Sequence, residues 1–382
     1  MRSTVLTWRC AGDWAKDVDA LSSADVVICF GPRDKLEDGT ARRELAEQAK
    51  SAILIGCSTG GQFSGDEIRD SDIVALAMRF DSTAVRGVSF RREDGESDAE
   101  LGTRIGKGLH GDTLAGVFIL SDGTNINGSS LISGLLGVLG ADIPVTGGLA
   151  GDGADFRQTF VFGPGTGGTD VAAAVGFYGT AIRIGHGSFG GWQYFGPRRV
   201  VTRSAGNVLF ELDGKPALDL YQRYLTPEEI EGLPASALLF PLLIGDPAVP
   251  DHEIVRTVLA VDRDTRAMTF AGDVPEGWSA RLMHGVFDEL NAGAGKAAYA
   301  ARHMLPQGRQ PDASILISCI GRRLLLGQNT SEELKAVLAQ IGAQSPAIGF
   351  YSYGEISPHG VSGRCDIHNQ TMTVTSFVED AE

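Results

Sequence analysis

The sequence predicts a mixed α/β fold (α+β) made of repeated β-α-β-β units, whose mixed sheets carry helices on their outer sides. One phrase occurs three times: an apolar strand, a helix, and a second strand that ends in a Gly-rich polar turn. Its copies begin VVICFGPR, GVFILSDGTN and ILISCIGRR. Strands alternate with helices, yet short hairpin turns also occur, which indicates parallel and antiparallel pairing together. If the two halves pack sheet against sheet, a four-layer αββα sandwich results.

The first copy is predicted to contain four strands and one helix, and a second helix follows them. The apolar runs predict strands at 26–30, 52–56, 73–80 and 84–90, and helices at 40–50 and 98–109. The second copy has strands at 116–120, 143–147 and 159–163 around a helix at 129–139, followed by strands at 171–178 and 181–187.

The rest of the chain becomes helical within 207–224 and then alternates as antiparallel strands over 238–284. A helix at 286–304 opens the third copy, with strands at 314–319, 347–350 and 370–378. Its helix is marked by a capping box from Thr330 to Glu333. Because prolines accumulate near 200–250, we expect one domain over 1–204 and a second over 205–382.

Composition excludes several classes of function. The 382 residues carry a formal net charge of −15 and no long basic run, so we expect no nucleic-acid binding. The five cysteines are scattered, which is typical of a reduced cytoplasmic protein. No window of about 18 apolar residues occurs, so no membrane insertion is expected.

The turns that end the repeated strands supply the candidate functional residues. We align the copies on Gly31, Gly123 and Gly321, and the second strands on Gly56, Thr146 and Gly349. The last copy has the most charge at these turns. Arg322 and Arg323 could hold a carboxylate or phosphate through bidentate bonds, or could pair with Glu332 or Glu333.

Tyr351, Tyr353 and Glu355 form a second candidate group in the last copy. Alternation along a strand would place both tyrosines on one face, where they and Glu355 could hold an amine or hydroxyl. The alternative is a buried hydrogen-bonded group that supports the turn.

Cysteine and histidine chemistry is the third possibility. Cys57 or Cys319 could act as a nucleophile if a neighbour lowered the thiol pKa, but no matching Cys/His/Asn set accompanies either, and a small buried side chain is the alternative. His186, between glycines at a strand end, is a weak haem-ligand candidate or a structural histidine. Cys365 and His368 have the spacing of half a zinc site.

Several motifs together resemble the FIST family, its N-terminal part followed by its C-terminal part, over about residues 25–378. They are IGCSTGGQ, GGLAGDG, GHGSFGGW, VTRSAGNVLFELDGKPALDLY, ISCIGRR and IGFYSYGEI with a trailing HNQT. The chain departs from the family at Gln62, where an acidic residue is common. The resemblance implies a bacterial cytoplasmic sensory domain of signal transduction, with amino acids as proposed ligands and a link to haem and nitric oxide in part of the family.

The resulting hypothesis is a non-enzymatic protein that binds an amino acid or small carboxylate between its two halves. Because no output module follows the last strand, we expect a separate signalling partner such as a kinase or a cyclic-dinucleotide enzyme. The alternatives are a haem-based nitric oxide sensor that uses His186 and a cysteine-dependent enzyme. The candidate ligand-binding residues are Arg322, Arg323, Tyr351, Tyr353, Glu355, Asn369, Asp213, Lys215, Cys57, Ser58 and Thr59.

Overall fold

Three copies of one six-stranded unit make up most of the chain, and a separate β-rich domain is inserted into the third. The computed structural model describes residues 1–249, 253–359 and 363–380. In chain order the first unit contains β1 (Arg2–Trp8), a 3-10 helix (Asp13–Asp17), α1 (Val18–Ser22), β2 (Val26–Gly31), α2 (Arg33–Asp38), α3 (Thr40–Gln48), β3 (Ile53–Ser58), β4 (Gln62–Ser64), β5 (Glu67–Arg69) and β6 (Ile73–Arg79).

The second unit repeats this order with longer helices. It contains β7 (Ala84–Arg91), α4 (Asp98–Leu109), β8 (Leu114–Ser121), α5 (Gly128–Leu139), β9 (Val145–Leu149), β10 (Val161–Gly163), β11 (Thr166–Gly168) and β12 (Val171–Tyr178). α4 begins at a capping box between Ser97 and Glu100, which satisfies two backbone N–H groups at the helix start. Its buried residues Leu101, Ile105 and Leu109 recur every four positions and face the sheet.

The third unit starts with one strand and is then interrupted by the inserted domain, residues 190–285. The first strand of the third unit is β13 (Ile182–Phe189). The inserted domain contains β14 (Gln193–Tyr194), β15 (Arg199–Ala205), β16 (Val208–Leu212), β17 (Lys215–Pro216), α6 (Ala217–Gln222), α7 (Pro227–Glu231), a 3-10 helix (Ala235–Leu239), β18 (Leu242–Gly245), β19 (Glu253–Arg256), β20 (Val258–Asp262), β21 (Ala267–Phe270) and β22 (Ser279–His284). The predicted boundary after residue 204 falls within β15, and the division into two sequence domains stays a prediction.

The third unit then continues to the end of the described chain. Its remaining elements are α8 (Phe287–His303), β23 (Ala313–Cys319), α9 (Ile320–Leu326), a 3-10 helix (Gly327–Asn329), α10 (Thr330–Ile341), β24 (Ala347–Ser352), β25 (Gly354–Pro358), β26 (Cys365–His368) and β27 (Met372–Glu379). None of the helices in the described residues is long and apolar enough to cross a membrane.

The three units exchange hairpins in a closed cycle. Each six-stranded sheet combines four strands of one unit with a hairpin of the next, in the orders β1-β6-β2-β3-β10-β11, β7-β12-β8-β9-β25-β26 and β13-β27-β23-β24-β4-β5. Within each sheet the two central strands of a unit run parallel, and their other neighbours are antiparallel. The three units therefore form a ring, and the predicted repeated β-α-β-β units with mixed sheets are confirmed.

The inner faces of the three sheets share one apolar core, while helices cover the outer faces. Phe30, Phe118 and Phe350, one from each sheet, belong to the inner core. The outer cores join α4 and α5 to the second sheet, α8 and α10 to the third, and α1 and α3 to the first. The outer helices are as predicted, but three sheets face the core, so the two-sheet sandwich that the sequence allowed does not form.

The turns after β3, β9 and β24 meet at the centre of the ring. Three backbone hydrogen bonds of 2.8, 2.9 and 3.3 Å link them cyclically: Gly60 N to Tyr351 O, Gly151 N to Ser58 O, and Tyr353 N to Leu149 O. The repeated turns thus close the ring.

The observed register corrects our alignment of the copies. The parallel pairs place Gly56 opposite Cys29, Gly147 opposite Ile119 and Gly349 opposite Leu316. Gly147, not Thr146, is therefore the counterpart of Gly56 and Gly349. The first strands are displaced as well, because Gly31 corresponds to Ser121 and Ser318 rather than to Gly123 and Gly321. A Cβ atom on Gly147 would lie 1.8 Å from the Ile119 carbonyl oxygen, which explains why the strand needs glycine there.

Candidate ligand-binding cleft

A cleft of about 730 Å³ separates the second unit of the ring from the inserted domain. The ring contributes the loop between β8 and α5, the turn after β9, and parts of the third unit. The inserted domain contributes the opposite wall. The residues that line it include Asp98, Asn125, Asn127, Gly128, Phe156, Asn207, Leu238, Leu259, Leu324 and Tyr353.

The buried carboxylate of Asp122 shapes the loop on the ring side. It accepts hydrogen bonds from Thr124 N at 2.8 Å, Asn125 Nδ2 at 2.9 Å, Thr159 Oγ1 at 2.6 Å and Asp170 N at 2.7 Å. Burial opposes ionisation of Asp122, but these hydrogen bonds outweigh it and hold its pKa below the ordinary value. The loop is therefore fixed around an anion, with Asn125 exposed at the cleft.

α5 begins at the wall of the cleft. Asn127 caps the helix, since its side-chain oxygen accepts from Ser130 N at 3.1 Å. Its backbone N–H donates to Asp98 Oδ2 at 3.0 Å, and its Nδ2 donates to Asp273 Oδ1 of the inserted domain at 3.1 Å. Asn127 therefore joins the helix start to both sides of the cleft.

Tyr353 and Phe156 make an aromatic wall. Their rings stack with centroids 4.5 Å apart and an interplanar angle of 16°. The Tyr353 hydroxyl donates to Asp152 and accepts from Phe156 N at 3.2 Å, and burial raises its pKa well above the ordinary range. These bonds hold Phe156 in a left-handed conformation with φ of 51° and leave its ring 39% exposed.

The chemistry of the cleft is apolar with uncharged polar groups. Leu259 and Leu324 are 42% and 45% exposed, unusually open for leucines, and both face it. Asp98 is the sole charged lining residue in the described chain, and its Oδ1 is paired with Arg92 Nη1 at 2.7 Å. The cleft thus suits a ligand with an apolar body and a few polar atoms.

Of the residues proposed from the sequence, only Tyr353 lines this cleft. Arg322 is fully buried, with all its donors engaged: Nε bonds Glu333 at 2.6 Å, Nη2 bonds Glu333 and Leu290 O at 2.6 and 2.8 Å, and Nη1 bonds Gly190 O and Gln370 O. The ion pair with Glu333, the alternative that the sequence left open, is what the structure contains.

Arg323 and Tyr351 lie at a different place, the junction between the third and first units. Arg323 bonds Gly60 O and Asp70 Oδ2, the latter at 2.8 Å, and lies 5.3 Å from the centroid of the Tyr351 ring. The expectation that both tyrosines share one strand face is wrong, because β24 ends at Ser352 and the two rings then contact different units.

Glu355 is fully buried and supports the turn. It accepts from Ser352 Oγ at 2.7 Å and from Thr371 Oγ1 and N at 2.9 and 3.1 Å, while burial raises its pKa to about 8. Asn369 is also buried. It follows His368, which pairs with Glu355 between β25 and β26, and its Nδ2 donates to Tyr353 O at 3.5 Å. Glu355 therefore belongs to a buried hydrogen-bonded group that supports the turn.

The remaining candidates are dispersed. Cys57, Ser58 and Thr59 are buried at the centre of the ring, where Ser58 Oγ accepts from Phe160 N at 2.9 Å. Asp213 bonds Arg199 Nη1 and Val200 N at 2.9 and 2.8 Å. Neither Asp213 nor its neighbour Lys215, both in the inserted domain, is among the residues that line the cleft.

Burial also bears on the cysteine and histidine candidates. It raises the pKa of Cys57 and of Cys319 well above the ordinary thiol value, so the reactive thiolate is disfavoured at both. His186 lies in β13 opposite Thr375, and burial lowers its pKa. Within the described residues, no group of three metal-ligating side chains comes together, and this includes the region of Cys365 and His368.

Comparison with known proteins decides the family. The model of the FIST N domain matches residues 25–215, and that of the FIST C domain matches residues 217–358. The chain belongs to the FIST family. FIST domains are sensory domains that bind small ligands.

Two individual proteins are also similar. A protein of Methanocaldococcus jannaschii named as uncharacterised is 33% identical over 194 residues, which span 45% of this FIST chain and 34% of the relative. The chain therefore matches about a third of the length of that relative. The crystal structure of cyanuric acid hydrolase from A. caulinodans covers 100% of this chain and 99% of its own at a TM-score of 0.42 and 8% identity, a likeness too weak to bear on function.

Sequence reasoning missed most of the cleft because it favoured the last copy. A signal for the correct copy was present: Asn127-Gly128-Ser129-Ser130 is a helix start, and it follows the polar turn that begins at Asp122. Asn207, Leu238 and Leu259 carried no comparable signal, since their role depends on where the inserted domain packs.

Proposed function

We propose that this FIST protein senses a small ligand bound in the cleft between the second unit and the inserted domain. The observation that supports this proposal most directly is the cleft itself. Its volume of 730 Å³ lies within the range of about 300–1,000 Å³ that is typical of ligand sites, and the cleft lies at a domain boundary. Its exposed leucines and stacked aromatic rings offer apolar area without a covering partner in the described chain. A sensory role for the family supports the same conclusion.

The ligand class that fits is an amino acid with an apolar side chain. The side chain packs against Phe156, Leu259 and Leu324. The carboxylate lies at the start of α5, where the helix dipole favours a negative charge, and the amides of Asn125 and Asn207 provide hydrogen bonds.

The signal passes to a separate protein, such as a kinase or a cyclic-dinucleotide enzyme. The acidic chain, with its net charge of −15, disfavours nucleic acid as the partner. A sensory family and a ligand site at a domain boundary together support output by a change in the surface that the two domains present.

A thermal-shift screen of the twenty L-amino acids and small carboxylates tests the proposal. A ligand at 100 times its Kd should add about 2.7 kcal/mol to the free energy of unfolding. Leu259→Ala and Leu324→Ala remove half-exposed side chains at the cleft, so both variants should fold and both should weaken the response to an apolar amino acid such as L-leucine.

Val200→Ala is the matched control, because Val200 is also an apolar side chain of the inserted domain, 48% exposed, but does not line the cleft. It should respond as the wild type does. A screen without any response, or one whose response survives both leucine variants and is lost in Arg323→Ala, would contradict the cleft as the site.

A further inference from the structure

The inserted domain has the build of a rigid body that is separate from the ring. It has its own apolar core, whose buried members all lie between Val201 and Leu282. No residue of the ring belongs to that core in the described chain. Such a domain moves as a unit unless a large apolar interface fixes it to its neighbour.

Only two chain crossings join the domain to the ring, and both contain glycine. The chain enters through Gly190-Gly191 and returns through Gly285. Gly191 has φ of 77°, and a Cβ atom on it would lie 2.0 Å from the Glu289 carbonyl oxygen at the start of α8. The two crossings are therefore adjacent in space, which is the arrangement of a hinge in which few residues absorb the rotation.

The crossings are held to the ring at one point, here called the pivot. It is a small apolar cluster formed by Trp192, Leu243 and Met283 of the inserted domain with Leu290 and Leu326 of the ring. The buried Arg322 fixes the crossing from the ring side by bonding Gly190 O and Leu290 O. The role of Arg322 is thus to anchor the hinge.

Away from the pivot, the two bodies meet through polar contacts with a cleft on each side. Two hydrogen bonds, here called the latch, join the domain to the ring: Asn127 Nδ2 donates to Asp273 Oδ1 at 3.1 Å, and Arg256 Nη1 donates to Ile367 O at 2.8 Å. The cleft of 730 Å³ lies on one side of it, and a second cleft of about 830 Å³, lined by residues such as Ser133 and Trp278, lies on the other. Space on both sides permits rotation in either direction.

We propose that the inserted domain is a lid that rotates on the pivot, and that ligand binding in the 730 Å³ cleft changes its orientation. The identity of the ligand rests on the proposed function, whereas the hinge does not depend on it. The motion converts occupancy of the cleft into a rearrangement of the surface around the crossings, where Phe189 and Phe287 are 45% and 42% exposed.

Distances between spin labels test the lid. In a Cys10→Ser background, which removes the exposed cysteine and leaves four buried ones, Lys215→Cys of the inserted domain is paired with Lys335→Cys on α10 of the ring. Addition of L-leucine should shift this distance by about 2 Å or more. The pair Lys215→Cys with Asp264→Cys lies within the inserted domain and should keep its distance, because the body is rigid.

A latch variant separates the two proposals. Asp273→Ala removes the bond to Asn127 and should broaden or shift the 215–335 distance without any ligand, whereas Asp219→Ala, which breaks an ion pair inside the inserted domain with Arg266 at 2.6 Å, should not. If L-leucine binds by thermal shift and neither it nor Asp273→Ala alters the distance, the lid is wrong and the site stands. If the distance responds to Asp273→Ala but no amino acid binds, the lid stands and the proposed ligand is wrong.

Discussion

Gln62 in the first unit and Glu355 in the third hold equivalent places in the ring, yet one is neutral and the other ionisable. Each lies in the first strand of a hairpin that joins the sheet of the neighbouring unit, opposite Phe350 and Gly148 respectively. Each accepts a hydrogen bond of 2.7 Å from the hydroxyl three residues earlier, Thr59 in one case and Ser352 in the other.

The difference lies in the second partner. The amide of Gln62 can donate, and its Nε2 bonds the Asp72 carbonyl oxygen, whereas the carboxyl group of Glu355 accepts from Thr371 N and Oγ1. In the second unit Val161 has the same place, opposite Cys57, and no polar pair forms there. Hairpin exchange therefore needs no charge, and the buried carboxyl group of Glu355 is an addition that makes the third unit sensitive to pH.

The largest effect should come from Glu355→Gln, measured by chemical unfolding from pH 5 to pH 8. The folded pKa of about 8 lies above the ordinary 4.5, so the folded state keeps a proton that the unfolded state releases. The contribution of this proton to the free energy of unfolding is full below pH 4.5 and is lost as pH rises towards 8, by about 1.4 kcal/mol per pH unit. Glu355→Gln should remove that slope, and an unchanged slope would show that another group causes it.

The converse change, Gln62→Glu, should destabilise the first unit by about 2 kcal/mol at pH 8, because a buried carboxylate then faces the Asp72 carbonyl oxygen without a donor. Lowering the pH should recover part of the loss, since a protonated carboxyl group can donate. Equal stability at pH 8 would mean that the first unit has donors like those of Thr371 within reach. Urea unfolding at two pH values measures this.

The smallest effect should come from the two hydroxyl groups. Ser352→Ala should cost about 1 kcal/mol, since it removes the hydrogen bond to Glu355, and Thr59→Ala slightly more, since it removes the bond to Gln62 and the bond from Gly61 N. Because Glu355 keeps Thr371 as a donor while Gln62 also keeps Asp72, neither loss should unfold the ring. A loss of several kcal/mol in one unit only would show that the two turns are not equivalent.

The predicted repeat was recovered because its signal is local. Apolar strands, the helices between them and the Gly-rich turns follow from hydrophobic period and from residue types such as Gly147, and all lie within one copy. The register was displaced because a glycine in a turn and a glycine under a neighbouring strand look alike in sequence. Thr146 was therefore aligned where Gly147 belongs.

The roles of the candidate site residues depend on contacts between distant parts of the chain, so local patterns do not predict them. Arg322 has the composition of a ligand-binding side chain, but Gly190, Glu333 and Leu290 surround it only after the chain has folded. Glu333 lay close enough in sequence to be named as an alternative partner, whereas the contact with Gly190, 132 residues away, could not be anticipated.

By itself the sequence determined the repeated β-α-β-β units, the mixed sheets, the outer helices and the family, because each depends on patterns within tens of residues. Only the tertiary structure decided that the units exchange hairpins in a cycle and that Asn127 meets Asp273 across a cleft. Those features pair residues up to about three hundred positions apart. Strand edges and polar groups have many possible partners along a chain, and packing of the whole molecule selects among them.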